Sequence, residues 1–174
     1  RVLEADGLTE AEQKLASLNA AFHHDDLLVQ IPPEASVTRP VRLVRLWSVS
    51  PGQAVFPMTI ITVGAGSAVT LIDESISVLS PAEGSHLVNG RIELVLEPGA
   101  RVHYVRLQRW DALAREFLLL RATLAKGAAL TMANINLGAA LSKAHLVTKL
   151  IGEEASTRLY GFVFGHGTQH IDQH

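Results

Sequence analysis

The chain has 174 residues with 15 Lys and Arg against 17 Asp and Glu, a formal net charge of -2, and no cysteine. This charge argues against a nucleic-acid module, which would be basic overall, and the missing cysteines exclude disulfides, thiolate zinc sites and all-thiolate iron–sulfur centres within the chain. Hydrophobic residues make up 48% of the sequence, which is enough for one domain with its own core.

The sequence pattern near the N-terminus predicts a single helix. Thr9 and Glu12 are spaced as a capping box. Apolar residues then recur at steps of three and four residues, which predicts one buried helix face formed by Leu8, Ala11, Leu15, Leu18 and Phe22. The helix is expected to end near Phe22, and residues 1–24 are predicted to form an N-terminal helical segment.

From residue 25 onward, apolar residues alternate with other residues, which is typical of strands with one buried face. The alternation is clearest in segments 27–31, 92–96 and 118–124, and Gly and Pro residues separate such segments. No second helix is predicted. Residues 25–174 are therefore expected to form a mainly β core.

A short sequence motif recurs five times in this region. Its fourth position, at which a tight turn is expected, is occupied by Glu34, Gly66, Gly99, Gly127 and Glu154, spaced 32, 33, 28 and 27 residues apart. Each copy is typical of a strand, a turn, a small residue and a second strand. Recurrence at this interval favours the stacked coils of a β-solenoid, with a jelly roll or cupin as the alternative fold.

The densest cluster of ionisable side chains lies in the tail, residues 165–174. His170, Asp172 and His174 would share one face of a strand, which makes them candidate ligands for zinc, iron or another borderline metal. The alternative is a polar strand whose histidines hydrogen-bond to neighbours. The run 23–26 also contains ligand-type residues, but its position after the helix favours a solvated loop.

Motifs for covalent or nucleotide chemistry are missing. The glycine turn 63–66 lacks the third glycine of a dinucleotide site, and the sequence contains neither a P-loop nor a G-x-S-x-G elbow. No catalytic or cofactor-binding residue is therefore predicted from these motifs. The arginines of the central region are interpreted as scattered surface charges: Arg106, Arg109, Arg115 and Arg121.

No membrane span is predicted either. The uncharged stretch 46–72 is interrupted by Pro51, Gly52 and Pro57. Residues 1–6 contain no apolar signal-peptide region. A cytoplasmic location is therefore expected.

Three segments resemble the SufB/SufD family, in the family's order. Segment 19–32 is similar to the pattern N-x-x-F-x-x-D-G-x-x-x-x-V-P, with Asp26 in place of the glycine. Segment 133–143 resembles the family's "lGg-lsR" stretch, with Lys143 in place of arginine, and segment 169–172 matches Q-H-x-D.

The resemblance implies a right-handed parallel β-helix with an N-terminal helical portion and a role in SUF iron–sulfur cluster assembly. In that system SufB and SufD pair through their β-helices, and each docks the ATPase SufC through a C-terminal helical region. Because SufB is the cluster scaffold, the absence of cysteine fits SufD better. The expectation is a non-catalytic SufD-like subunit that carries no cofactor itself, while the iron–sulfur cluster and ATP belong to the complex with its partners.

The chain ends directly after the Q-H-x-D match, where family members continue, so a fragment without the SufC-docking region is expected. A solenoid cut between coils exposes strand edges and core, which predicts self-association. Two alternative functions remain possible from the sequence. One is a small cupin-like metal-dependent enzyme that uses His166, His170 and His174, and the other is a β-helix carbohydrate-active enzyme.

Overall fold

The structure, a computed structural model, describes residues 8–24, 26–78 and 83–174. These residues form one helix followed by twelve strands. The elements are α1 (Glu10–Phe22), β1 (Leu27–Ile31), β2 (Val41–Trp47), β3 (Ala54–Val55), β4 (Met58–Val63), β5 (Ala68–Ser77), β6 (His86–Leu96), β7 (Arg101–Arg109), β8 (Ala114–Leu124), β9 (Ala129–Asn136), β10 (Leu141–Leu150), β11 (Ser156–Val163) and β12 (His170–Gln173).

The strands form two parallel sheets. Sheet A has the order β1-β4-β6-β8-β10-β12, with β3 also paired to β6, and sheet B has the order β11-β9-β7-β5-β2. Each strand pairs with its equivalent one coil away, so that Leu71, Tyr104 and Met132 lie side by side in sheet B. This arrangement confirms the predicted β-solenoid. The jelly-roll and cupin alternative is not favoured, because those folds are built from antiparallel strands.

The repeated motif forms the same corner in each successive coil. All five fourth-position residues have a positive φ: Glu34 (58°), Gly66 (68°), Gly99 (71°), Gly127 (64°) and Glu154 (59°). The backbone N–H groups of the first four donate to carbonyls of the following coil, as from Gly66 to Pro98 and from Gly99 to Lys126, both at 2.9 Å. Glycine favours this backbone conformation because it lacks a Cβ. The corners therefore stack in register.

The interior between the sheets has an apolar half and a polar half. Along β7 the inward residues change from Val102 and Tyr104, near the corner, to Arg106 and Gln108, and all four are buried. Equivalent strands follow the same order, so the residues beside the stacked corners are apolar: Val63, Val69, Leu96, Leu124 and Leu130. The opposite side of the interior collects the polar residues Asp73, Glu116, Asn134, Asn136 and Ser142.

The predicted capping box begins α1. Thr9 Oγ1 accepts a hydrogen bond from the Glu12 backbone N–H at 3.3 Å, and Glu12 Oε2 accepts one from the Thr9 N–H at 2.8 Å. The helix ends at Phe22, as expected from the sequence.

The predicted buried face of α1 is only partly correct. Ala11 is exposed and Phe22 is 59% exposed, whereas Ala16 and Asn19 are buried against the outer face of sheet A. The buried face is rotated because Asn19 donates hydrogen bonds to backbone carbonyls of the sheet region, at Pro57 and Asn89. The periodicity of apolar residues cannot predict that a polar residue such as Asn19 lies in the interface.

No helix among the described residues is both long enough and apolar enough to cross a membrane.

Candidate functional site

The polar half of the interior is organised around an ion pair between Arg106 of β7 and Glu116 of β8. Arg106 Nη1 also donates to Asn134 Oδ1 at 3.0 Å and to Asn136 Oδ1 at 3.1 Å. All four side chains are buried. The interpretation of Arg106 as a surface charge is therefore wrong. Arg121 is buried as well, with 8% exposure.

The carboxylate of Glu116 has two further donors. Trp110 Nε1 donates to Glu116 Oε1 at 2.8 Å, and Ser142 Oγ donates to Glu116 Oε2 at 2.8 Å. Four successive strands of the solenoid thus supply groups to one neutral cluster. Because its charges are matched inside the protein, the cluster is suited to fixing the coils in register.

The structure explains why segment 133–143 has a glycine at position 138. Its N–H donates to Gln108 Oε1 at 2.9 Å, and Gln108 Nε2 donates back to its carbonyl at 3.1 Å. A Cβ at this position would lie 2.0 Å from the carbonyl oxygen of Trp110. A side chain is thus excluded at this crossing between coils.

A second interior group surrounds Tyr104. Its hydroxyl donates to Asp73 Oδ2 at 2.7 Å, and the same carboxylate pairs with Arg45. Burial, together with the neighbouring Asp73 charge, raises the pKa of the Tyr104 hydroxyl well above its ordinary value. Tyr104 is therefore a neutral hydrogen-bond donor over the usual pH range.

On the outer face of sheet A, three ligand-type side chains converge. His145 projects from β10, His174 lies beside it just after β12, and Glu12 comes from α1. His145 Nδ1 lies 2.9 Å from Glu12 Oε1 and 3.1 Å from His174 Nδ1. The three ligand atoms all lie within 4.8 Å of one another. This group is called the His–His–Glu cluster below.

The backbone and the helix cap position this cluster. The His174 N–H donates to Ala144 O at 2.8 Å, and the Leu146 N–H donates to His174 O at 2.7 Å, so the backbone of His174 is held on both sides of His145. Glu12 Oε2 accepts from Thr9, which leaves Oε1 directed at His145. Burial raises the pKa of Glu12, but the hydrogen bonds from Thr9 and the neighbouring His145 outweigh it, and its pKa is lowered overall.

A cavity of about 110 Å³ adjoins the cluster between α1 and sheet A. Glu12 and His145 line it together with apolar residues such as Leu15 and Phe117, and with Lys143. Lys143 Nζ also lies 3.5 Å from Asp172 Oδ2 on the surface. The cluster therefore combines two imidazoles and a carboxylate with space beside them.

Of the three ligands predicted from the tail, only His174 belongs to this cluster. His170 and Asp172 lie on β12, where His170 is exposed and Asp172 pairs with Lys143. His166 is exposed, and its backbone N–H donates to Gln169 Oε1 at 2.7 Å. In the run 23–26, His23 Nδ1 lies 2.9 Å from the Asp26 carboxylate, and Asp25 lies outside the described residues.

Sequence reasoning missed His145 and Glu12. His145 precedes His174 by 29 residues, which is one coil of the repeat, so the periodicity contained a usable signal for this pair. Nothing in the sequence placed Glu12 beside them, because the packing of α1 on sheet A is a tertiary contact.

Comparison with known proteins identifies a family for this chain. A family model described as SUF system FeS cluster assembly, SufBD core domain, matches residues 46–174. The iron–sulfur cluster assembly SufBD family protein ML0593 of Mycobacterium leprae (strain TN) is 24% identical over 145 residues, which cover 83% of this chain and 16% of that relative. No solved structure matches the chain. Because the family match spans well over half of the residues, the chain belongs to the SufBD core-domain family of the SUF system.

Proposed function

We propose that this chain is the β-solenoid part of a SufD-like component of iron–sulfur cluster assembly. In this role it is a non-catalytic subunit that pairs with a SufB-like subunit in a complex driven by a SufC-type ATPase in the cytoplasm. The observation that carries the proposal is the match of residues 46–174 to the SufBD core domain. The chain spans only 16% of its curated relative, so partners and activity of the whole protein are part of the proposal.

The donor chemistry supports a partner role. Without cysteine, the chain offers no thiolate to hold an iron–sulfur cluster. The buried charges of the interior, represented by Arg106 and Glu116, are matched with each other. Both features fit a subunit that shapes a complex and leaves cluster ligation to another chain.

The outer face of sheet B supports pairing with another protein. Val44, Leu107, Ile135 and Phe162 form one row across four of its strands, and Glu74 of β5 completes the row. Val44 is 44% exposed and Phe162 is 46% exposed. Helix α1 packs on the outer face of sheet A, so no helix of residues 8–24, 26–78 and 83–174 packs on this row. Apolar side chains on both sides of the paired Glu74 are suited to contact with a protein surface.

The test is co-purification of this chain, expressed with a SufB-like subunit and a SufC-type ATPase from the same organism. We expect the SufB-like subunit to be recovered with the unmodified chain and lost with Phe162→Asp. Val95→Asp is the matched control, since Val95 is 40% exposed on the outer face of sheet A. Failure to recover the SufB-like subunit with the unmodified chain would overturn the proposal. Recovery that survives Phe162→Asp would instead assign pairing to another surface.

A further inference from the structure

We propose that Glu12, His145 and His174 bind one first-row divalent transition ion of the Fe²⁺ or Zn²⁺ class. This site is independent of the proposed function and of any partner subunit. It rests on the geometry of the His–His–Glu cluster, on the count of available protons and on the way in which the three side chains are held.

The spacing of the ligand atoms fits a single ion. Such ions bind imidazole nitrogen and carboxylate oxygen at about 2.0–2.2 Å, which places neighbouring ligand atoms roughly 3–3.5 Å apart. His145 Nδ1 already lies 2.9 Å from Glu12 Oε1 and 3.1 Å from His174 Nδ1. With all three atoms inside 4.8 Å, only small side-chain rotations separate this arrangement from a coordinated one.

Hydrogen bonds among these three side chains cannot satisfy both contacts of His145 Nδ1, with Glu12 and with His174, at the same time. The Nδ1 of a neutral imidazole is either a donor with one proton or an acceptor with one lone pair. If His145 Nδ1 carries the proton, Glu12 and His174 must share it. If it carries the lone pair, it faces the lone pairs of the Glu12 carboxylate. A cation that accepts one lone pair from each side chain satisfies all three at once.

The donors are pre-positioned as ligands usually are. The second oxygen of Glu12 is held by Thr9, and the backbone of His174 is fixed by hydrogen bonds on both sides of His145. The side chains of His145 and Glu12 are 8% and 12% exposed, whereas His174 is exposed to solvent. An ion could therefore enter from solvent past His174. Supporting hydrogen bonds of this kind orient metal ligands in proteins.

The donor set selects the class of metal. Two imidazoles with one carboxylate suit Fe²⁺, Zn²⁺ and Co²⁺, whereas Ca²⁺ and Mg²⁺ prefer sites built from oxygen alone. Three protein ligands leave at least one coordination position open. The nearby cavity, which Glu12 and His145 line, provides room for a water or a small anion.

The experiment uses the 174-residue chain without a polyhistidine tag, stripped with a chelator and titrated with Co²⁺ as a spectroscopic probe. We expect a single equivalent to bind and to give visible absorption bands of a low-coordinate N/O site. Competition by Zn²⁺ and, without oxygen, by Fe²⁺ then ranks the two ions. His145→Ala and His174→Ala should each weaken binding by more than the 10–100-fold that loss of a supporting residue costs.

His170→Ala and His166→Ala are the matched controls, because both side chains are exposed histidines of the same tail outside the cluster. They should leave the affinity unchanged. An absence of stoichiometric binding, or a loss that is equal in all four variants, would overturn the proposal. Should a variant unfold, the melting temperatures of the unmodified chain, His170→Ala and His166→Ala should all rise equally with the concentration of Zn²⁺, because ion binding to the folded state stabilises it. No rise, or a rise lost in either control variant, would overturn the proposal.

Discussion

Asn19 of α1 donates a hydrogen bond to Asn89 of β6 across the interface between helix and sheet, and Asn89 donates one back to the helix at Leu15. Asn19 Nδ2 donates to the backbone oxygen of Asn89 at 2.7 Å, and Asn89 Nδ2 donates to the backbone oxygen of Leu15 at 2.8 Å. Both side chains are buried, with 1% and 3% exposure. This exchange fixes the rotation of α1 on the outer face of sheet A.

Replacement of either asparagine by alanine should therefore destabilise the protein. We expect Asn19→Ala and Asn89→Ala each to lower the free energy of unfolding by about 1–3 kcal/mol, because each removes buried hydrogen bonds between the helix and the sheet region. Urea unfolding of both single variants and of the double variant measures the loss and the coupling. Ser17→Ala, on the exposed face of α1, is the control. Equal losses in all three single variants would contradict this role of the asparagines.

Breaking the interior ion pair should lower the free energy of unfolding more than the asparagine substitutions do. Glu116→Gln leaves the buried Arg106 without its counter-charge, and we expect a loss of about 3–5 kcal/mol in the free energy of unfolding. Glu153→Gln removes an exposed partner of Lys126 and should cost less than about 1 kcal/mol. Denaturant unfolding of the two variants compares them directly. A small loss for Glu116→Gln would show that the interior tolerates an unpaired arginine.

Glu74 predicts a dependence of stability on pH. Hydrogen bonds from Arg42 and Arg109 lower the pKa of this carboxyl below its ordinary value of 4.5, against the opposing effect of burial. Its contribution to stability is therefore fully present above pH 4.5 and is lost as the pH falls through the lowered pKa. We expect the unmodified chain to be more stable than Glu74→Gln at neutral pH. This difference, measured by urea unfolding, should shrink in acid, and a constant difference would contradict the assignment.

The stacked corners predict opposite effects of adding and removing a side chain. Gly127 has a φ of 64°, and a Cβ there would meet nothing closer than 4.0 Å, so the cost of Gly127→Ala is conformational. We expect a loss of about 1–2 kcal/mol. Glu154 has the same conformation, with a φ of 59°, and Glu154→Gly should stabilise the chain by a similar mechanism. Thermal unfolding that moves in the same direction for both variants would contradict this explanation.

Exposed interior residues of β11 predict that the 174-residue chain self-associates. Leu159 and Val163 occupy inward positions but are 45% and 49% exposed. We expect light scattering to show a mass that increases with concentration, and Leu159→Lys with Val163→Lys to return it to that of a monomer. Leu46→Lys, at an outward position of β2 that is 64% exposed, should leave association unchanged. A monomer at all concentrations would refute the prediction.

Features that depend on a few neighbouring residues were predictable from the sequence. Contacts between side chains of different coils were not. The capping box of Thr9 and Glu12 and the corner residues such as Gly99 depend on backbone conformation within a few residues. The burial of Arg106 could not be predicted in this way, because its environment is set by partners from other coils. Charge alone suggests an exposed side chain, and only the coil register reveals the matched carboxylate of Glu116.

The same distinction applies to the His–His–Glu cluster. His174 was selected from the tail by its chemistry, and the coil repeat would have placed His145 beside it. Glu12 lies 133 residues from His145 in the chain, and no repeat connects them. Only the packing of α1 on sheet A brings this carboxylate to the histidines.

That packing has a consequence for how the molecule unfolds. In a solenoid each coil contacts only its neighbours, so opening can begin at either end and spread coil by coil. Helix α1 departs from this rule, since it contacts β6 through Asn89, β8 through Leu119 and β10 through His145. It acts as a brace across three consecutive coils. Protection against hydrogen exchange should therefore change together in these three strands when the helix is released, instead of declining gradually from the ends.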